Sequence, residues 1–197
     1  MGRGRRPTEV VRREVLAAAG RLLLAEGMGG FTIEQVARDS GASKMTVYKL
    51  WPSKGALALE GYFATVESTL EFPDTGDIEA DLRAQLHAFV DLLTRTRAGR
   101  VIAELIGQAQ TDPDLMDAYL AGYSGPRRAL AVRRLESARA RAQLRADLDP
   151  ESVVDQLWGA CYHRLLLPDQ PLTRSFADIL VDNLFRGIPA RPGAPAE

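Results

Sequence analysis

The sequence predicts an all-α protein: an N-terminal three-helix head built on a helix-turn-helix, a linking helix, and a larger helical body. Three observations carry this reading. Apolar residues recur at helical spacing along most of the chain, and no alternating β-branched run bounded by turns suggests a strand. Helix-start signals recur, among them the cap-plus-proline pairs Asp112-Pro113 and Asp149-Pro150. Residues 32–54, TIEQVARDSGASKMTVYKLWPSK, read as a short helix, a tight turn and a second short helix, with the helix-turn-helix itself at 32–51.

Residues 1–7, MGRGRRP, form a basic arm in which Gly and Pro oppose regular structure. Arg5 and Arg6, beside Arg3, suit a narrow minor groove, and a solvated terminus fits the same composition. The head is expected over 8–71. Its first helix starts near Thr8, carries Val11, Val15, Ala18 and Leu22 on one stripe, and closes at Gly27. Thr32 and Gln35 fit a reciprocal capping box, flanked by Phe31 and Val36 as a hydrophobic staple. Gly41 stands where the chain reverses, and Ser43 caps the next helix. Val47 with Leu50 or Trp51 turns inward. Ser43, Lys44, Met45, Thr46, Tyr48 and Lys49 are left outside, a set of cations, hydroxyls and a phenol suited to phosphates and base edges.

A third short-range start signal, Ser53-Lys54, opens the linking helix and places Lys54 at an N-terminus that favours phosphate. Trp51 suits either stacking on a sugar–phosphate or a buried anchor between the reading and linking helices. The segment 72–76, FPDTG, breaks the chain, and a helical body is expected over 77–187. Within it Gly125-Pro126 reads as a further break. Arg127, Arg134 and Arg141 recur every seven residues and read as a solvated stripe rather than a second DNA contact. The tail, 188–197, is rich in Pro, Ala and Gly and is expected to be disordered.

Net charge is −1, but residues 1–60 hold ten Lys or Arg against six Asp or Glu, whereas 61–197 hold fifteen against twenty. A basic head on an acidic body suggests a localised polyanion partner. The single cysteine, Cys161, excludes an internal disulfide and points to a reducing cytoplasm. No apolar run reaches the ~18 residues a membrane span needs, and no apolar segment follows the basic N-terminus as in a secretory leader. His87 and His163 are the only histidines, and Cys161 and His163 share no helix face, so no metal site or cofactor is expected. Both are read as packing or interface residues. No Gly-rich phosphate loop, G-x-S-x-G or distinct carboxylate pair supports an enzyme.

The run GASKMTVYKLWPSKGAL at 41–57 resembles the DNA-binding segment of TetR-type transcriptional regulators. Val15-Leu16, Ala18-Ala19, Leu22-Leu23 and Gly27 are similar to that family's first helix, and Phe31-Thr32, Val36-Ala37, Tyr48, Trp51 and Lys54 fall at matching spacings. The resemblance covers about the first third of the chain. Leu50 departs from it, standing where such proteins often carry Tyr, His or Arg, so one phosphate contact is absent. The resemblance implies a DNA-binding repressor that reads a palindromic operator as a homodimer and is released by a small molecule. Thr32, Tyr48 and Lys54 would hold phosphates, and Ser43, Lys44, Met45, Thr46 and Lys49 would complete the reading surface.

By the same resemblance the last two long helices would pair with their copies, through Val153, Val154, Leu157, Cys161, Phe176, Ile179, Leu180 and Leu184. An ordinary monomer core would show the same apolar faces. A two-fold dimer is favoured physically, since one small reading helix covers few base pairs. The body would hold a hydrophobic effector, with Phe89, Leu93, Ile102, Ile106, Met116, Tyr119, Tyr123, Trp158 and Tyr162 as wall residues, each equally suited to a core. Three alternatives remain open: a small-molecule-binding protein of the same fold without specific DNA binding, an all-helical enzyme, and an activator instead of a repressor.

Overall fold

A computed structural model describes residues 7–187, the side chains of 68 and 69 excepted. Every regular element among them is a helix: α1 (Thr8–Gly30), α2 (Ile33–Ser40), α3 (Lys44–Leu50), α4 (Lys54–Val66) with a 3₁₀ turn at Glu67–Leu70, α5 (Ile78–Arg95), α6 (Ala98–Ala109), α7 (Pro113–Tyr119), α8 (Gly125–Ala140), α9 (Pro150–Val154), α10 (Ala160–Leu166) and α11 (Arg174–Arg186). Side-chain caps explain most of the starts. Thr32, Ser43, Ser53, Asp112, Asp149 and Thr173 each accept a backbone N–H of the first turn they precede. α1 breaks at Gly27, whose φ of 69° lies in the left-handed region. Gly41 ends α2 at φ 65° and ψ 18°, a conformation that costs any other residue steric strain.

Two expectations about element boundaries need correction. Only half of the capping box forms. Thr32 Oγ1 accepts the Gln35 N–H at 3.2 Å, but the Gln35 side chain donates to Asp39 and accepts from Arg38 on its own helix. Nor does Gly125-Pro126 break the chain. A π-helical stretch at Leu120–Ser124 joins α7 to α8, and the Gly125 N–H reaches back five residues to the Leu120 carbonyl. The wider turn takes up the place of a proline that would otherwise clash with the preceding turn. A second π stretch, Asp155–Gly159, joins α9 to α10.

The helices form two compact units. The first comprises the described residues up to Glu71 together with Asp91–Leu130, and the second comprises Phe72–Val90 with those from Ala131 onward. In the first, α1 and α4 cross at small residues. A Cβ on Gly61 would lie 2.7 Å from the Ala19 Cβ, and one on Gly20 would lie 2.7 Å from the Gly61 carbonyl, so only glycines allow this approach. The buried face of α1 is Val15, Ala18, Ala19 and Leu23, one step round from the expected stripe, with Val11 and Leu22 half-buried. α2 adds Ile33, Val36 and Ala37, α3 adds Val47, and α4 adds Leu57, Ala58 and Leu59. α6 packs on α1 and α4, and α7 on α4. Glu104 of α6 accepts the Met28 N–H at 3.2 Å, next to the break in α1. Four rings, Tyr62, Phe63, Tyr119 and Tyr123, meet in one cluster, in which Phe63 and Tyr123 stack at 4.3 Å and 6°.

The arginine stripe is a set of clamps, not a solvated face. In the first unit Arg127 donates to the Leu70 and Glu67 carbonyls at 2.8 and 2.9 Å and lies 5.8 Å from the Tyr123 ring centroid. In the second, Arg134 is buried against Asp81, which is also buried, and donates to the Pro73 carbonyl at 3.1 Å. Arg141 takes both carboxylate oxygens of Asp74, at 2.7 and 2.8 Å. Burial alone would raise the Asp81 pKa, but hydrogen bonds from Thr75 and Arg134 outweigh it and hold this carboxyl below the usual range. On α5, Arg83 bridges Asp178 and Asp182 of α11, and His87 meets Asp178 at 2.8 Å.

Candidate nucleic-acid interface

The candidate surface begins with the turn. Gly41 reverses the chain, and Ser43 Oγ accepts the Thr46 N–H at 3.1 Å while meeting the Thr46 hydroxyl at 2.8 Å. α3 is thereby capped by its own sequence. It is then held from beneath by Val47, which is fully buried, and by Trp51 at its C-terminus. The opposite side stays open. Met45 is 82% exposed and Tyr48 52%, Ser43, Lys44 and Lys49 are exposed, and Thr46 is half-buried.

Trp51 settles on the buried of its two readings. Its indole N–H donates to Glu60 of α4 at 2.6 Å, and the Arg12 guanidinium of α1 lies 5.0 Å from its ring centroid. Arg12 also pairs with Glu60. Three helices thus meet on one indole at the end of α3. Lys54 is exposed at the start of α4, but its ammonium donates to the Met28 carbonyl at 3.0 Å, which fastens α4 to the end of α1. Thr32 is exposed, and its hydroxyl, used as an acceptor by the cap, keeps its proton to donate. Lys44 Nζ lies 2.7 Å from Glu34 Oε1 of α2.

The chain is also similar to known proteins. The family model for bacterial regulatory proteins of the tetR family matches residues 15–60, and that for the tetracyclin repressor-like C-terminal domain matches 72–184. The chain belongs to the TetR family. It is a DNA-binding transcriptional regulator of that family. It is 35% identical over 188 residues to the HTH-type transcriptional regulator YdeS of Bacillus subtilis, covering 95% of this chain and 94% of the relative. It is 29% identical over 183 residues to the DNA-binding transcriptional repressor TetR of Mycobacteroides abscessus, covering 91% and 94%. The crystal structure of the TetR family transcription regulator SCO0332 superposes with a TM-score of 0.88 at 59% identity, covering 91% of this chain and 99% of that one.

In this TetR-family chain the other expected site residues are placed as follows. Arg5 and Arg6 lie outside the described residues. Of the effector-wall candidates, Leu93, Ile102, Ile106, Met116, Tyr119 and Tyr123 belong to the first unit and Phe89, Trp158 and Tyr162 to the second. Phe89 packs edge-on against Tyr162 at 5.4 Å, and Trp158 lies 6.1 Å from Phe72. Phe89, Leu93, Ile102 and Tyr123 are buried. The interface candidates divide too. Val153, Val154, Leu157 and Cys161 are buried within the chain itself. Burial pushes the Cys161 thiol up to about 12. On α11, Phe176, Leu180 and Leu184 are half-buried and Ile179 is 55% exposed, joined in the open by Leu166 and Leu167.

Sequence reasoning missed Glu60, Arg12 and Glu34. Each is a charged residue on a helix surface, and only the three-dimensional partner marks it out. No helix of the described residues is long and apolar enough to cross a membrane, and no group of three or more metal-ligating side chains occurs among them.

Proposed function

We propose that this chain is a cytoplasmic repressor that binds a palindromic operator as a homodimer, through a head at 8–71, and is released by a small hydrophobic effector bound by the region 77–187. The observation that supports it most is α3: a short, side-chain-capped helix anchored through Val47 and Trp51, with Met45, Tyr48 and Lys49 turned to solvent. Met45, Thr46 and Lys49 reach base edges, Tyr48 and Thr32 hold phosphates, and Ser43 and Lys44 set the start of the reading helix. Lys54 contributes by fixing α4 on α1, with its remaining N–H groups free for phosphate. Self-association runs through the open apolar residues at the end of α10 and on α11, Leu166, the following Leu167, and Ile179, together with Phe176, Leu180 and Leu184 of α11.

The effector reading draws support from the ring cluster of the first unit. The Tyr62 hydroxyl is buried there without a hydrogen-bond partner among the described residues, and its pKa is pushed well up by that burial and then by Tyr123 and Tyr119. A buried donor without a partner costs free energy that a bound acceptor recovers. Effector binding then favours a conformation with lower operator affinity.

The test is DNA binding by Tyr48→Ala and Lys49→Ala as a function of salt. Loss of a phosphate contact weakens binding to every sequence and flattens the salt slope, whereas loss of a base contact relaxes preference at one position. Unaltered binding by both variants would remove α3 from the interface.

A further inference from the structure

Lys44 and Glu34 are the first helical residue of α3 and the second of α2, and their side chains meet across the turn at 2.7 Å with 56% and 50% of their surfaces exposed. An ion pair this open to water adds little to stability. Its position matters more. Lys44 opens α3, so its partner carboxylate stands beside the start of that helix. The Lys44 hydrogen bond holds the Glu34 carboxyl below the usual range, so it is charged at neutral pH. A fixed negative charge at a DNA-facing surface repels phosphate, which is a cost unless it is used.

The donor and acceptor chemistry of the pair indicates the use. An ammonium keeps further N–H groups after one is given to Glu34, and a carboxylate keeps further lone pairs after accepting one. In the major groove a G·C pair places the guanine O6 and N7 acceptors beside the cytosine N4 amino donor. A lysine and a glutamate held side by side offer the complementary row, N–H to guanine and oxygen to cytosine. A T·A pair offers the same carbonyl beside an amino group, but it puts the thymine methyl where guanine has N7, so the lysine loses its second acceptor and meets an apolar group instead.

We propose that Glu34 is a specificity-determining residue that reads one G·C pair in each half-site together with Lys44, and that its charge suppresses binding to unrelated DNA. The proposal rests on the placing of α3 on the operator. Glu34 gives up part of the electrostatic attraction common to all sequences and recovers it only where a base amino group meets the carboxylate, while Lys44 on guanine O6 and N7 favours the G·C pair. A lone Lys44 would seek any nearby phosphate.

The experiment measures equilibrium binding of the full chain, Glu34→Ala, Glu34→Gln, Lys44→Ala and the double Ala variant. The duplexes are the operator selected by the wild type, its single-pair substitutions and an unrelated sequence. Glu34→Ala should lose roughly tenfold preference for G·C at one symmetric position. It should also bind the unrelated duplex more tightly, with a salt slope steeper by about one. Lys44→Ala should lose preference at the same position, with no further loss there in the double variant. Glu34→Gln, which keeps an acceptor without the charge, should retain part of the preference but bind unrelated DNA as Glu34→Ala does. Thermal midpoints should stay level, whereas a merely structural pair would shift them. A wild type that selects an operator while Glu34→Ala keeps every preference and the same salt slope overturns the proposal. A wild type that selects no sequence overturns the placing of α3 as well.

Discussion

The Trp51 indole donates to the Glu60 carboxylate at 2.6 Å, and this one bond ties the end of α3 to the middle of α4. Arg12 completes the arrangement from α1, pairing with Glu60 and lying over the indole ring. The angle of a short helix cannot be fixed by its own seven residues. It is fixed by what its last side chain is bonded to.

Trp51→Phe keeps most of the packing and removes the donor. It should cost about 1–2 kcal/mol of stability and weaken operator binding more than binding to unrelated DNA, because register and not charge is disturbed. Glu60→Gln retains an acceptor for the indole and should be milder in both respects. Denaturant unfolding alongside paired titrations with operator and unrelated duplex checks this. Equal weakening on both DNAs would argue for a loss of fold alone.

The Asp81–Arg134 pair makes the second unit acid-sensitive. Its carboxyl is held below the ordinary value in the folded chain. The stabilisation is therefore complete above the ordinary Asp value of about 3.9 and is lost as pH falls through the lower, folded-state value. Asp81→Ala should cost about 3–5 kcal/mol at neutral pH, because Arg134 stays buried with less countercharge. Asp74, at 3.0 Å from Arg134, moderates that loss. Unfolding free energy measured from pH 7 downward should fall less steeply in the variant than in the wild type.

Tyr62→Phe removes a buried hydroxyl that has no partner among the described residues. The free protein should be equally stable or gain up to about 1 kcal/mol, since nothing is broken. If effectors carry an acceptor to this hydroxyl, the same substitution should weaken their binding about fivefold to tenfold, read by calorimetry with an inducer that releases the operator. A clear drop in stability would mean that the hydroxyl is satisfied.

Ile179→Asp places a charge on the open face of α11, where the isoleucine is 55% exposed. The fold should survive, because no core contact is lost. Self-association should weaken at least tenfold, as seen by sedimentation, and operator binding should fall with it. An unchanged mass would move the interface elsewhere.

The sequence carried most of the fold because the helices announce their own ends. Thr32, Ser43, Ser53, Asp112, Asp149 and Thr173 are local signals, and each caps the helix it precedes. The open side of α3 was legible for the same reason: Gly41, Ser43 and Val47 fix which side of that helix is left to solvent. What was not legible depends on contacts distant in the chain. Nothing local separates Arg134 from a solvated arginine, because its partner Asp81 is 53 residues away. Glu60 and Glu34 read as ordinary surface acids until the indole and the ammonium are seen beside them. Val153 and Ile179 were equally apolar as letters, yet one is buried and the other open. Gly125-Pro126 misled because a π-helical turn can accommodate what an α-helical turn rejects.

The most direct measurement is the selection of bound sequences from a random duplex pool by the full chain at about physiological salt. Recovery of a two-fold palindrome, with half-sites about one helical turn apart or more, is the predicted result and supports the reading helix and the dimer together. Recovery of no preferred sequence, with weak binding that vanishes as salt rises, would contradict both.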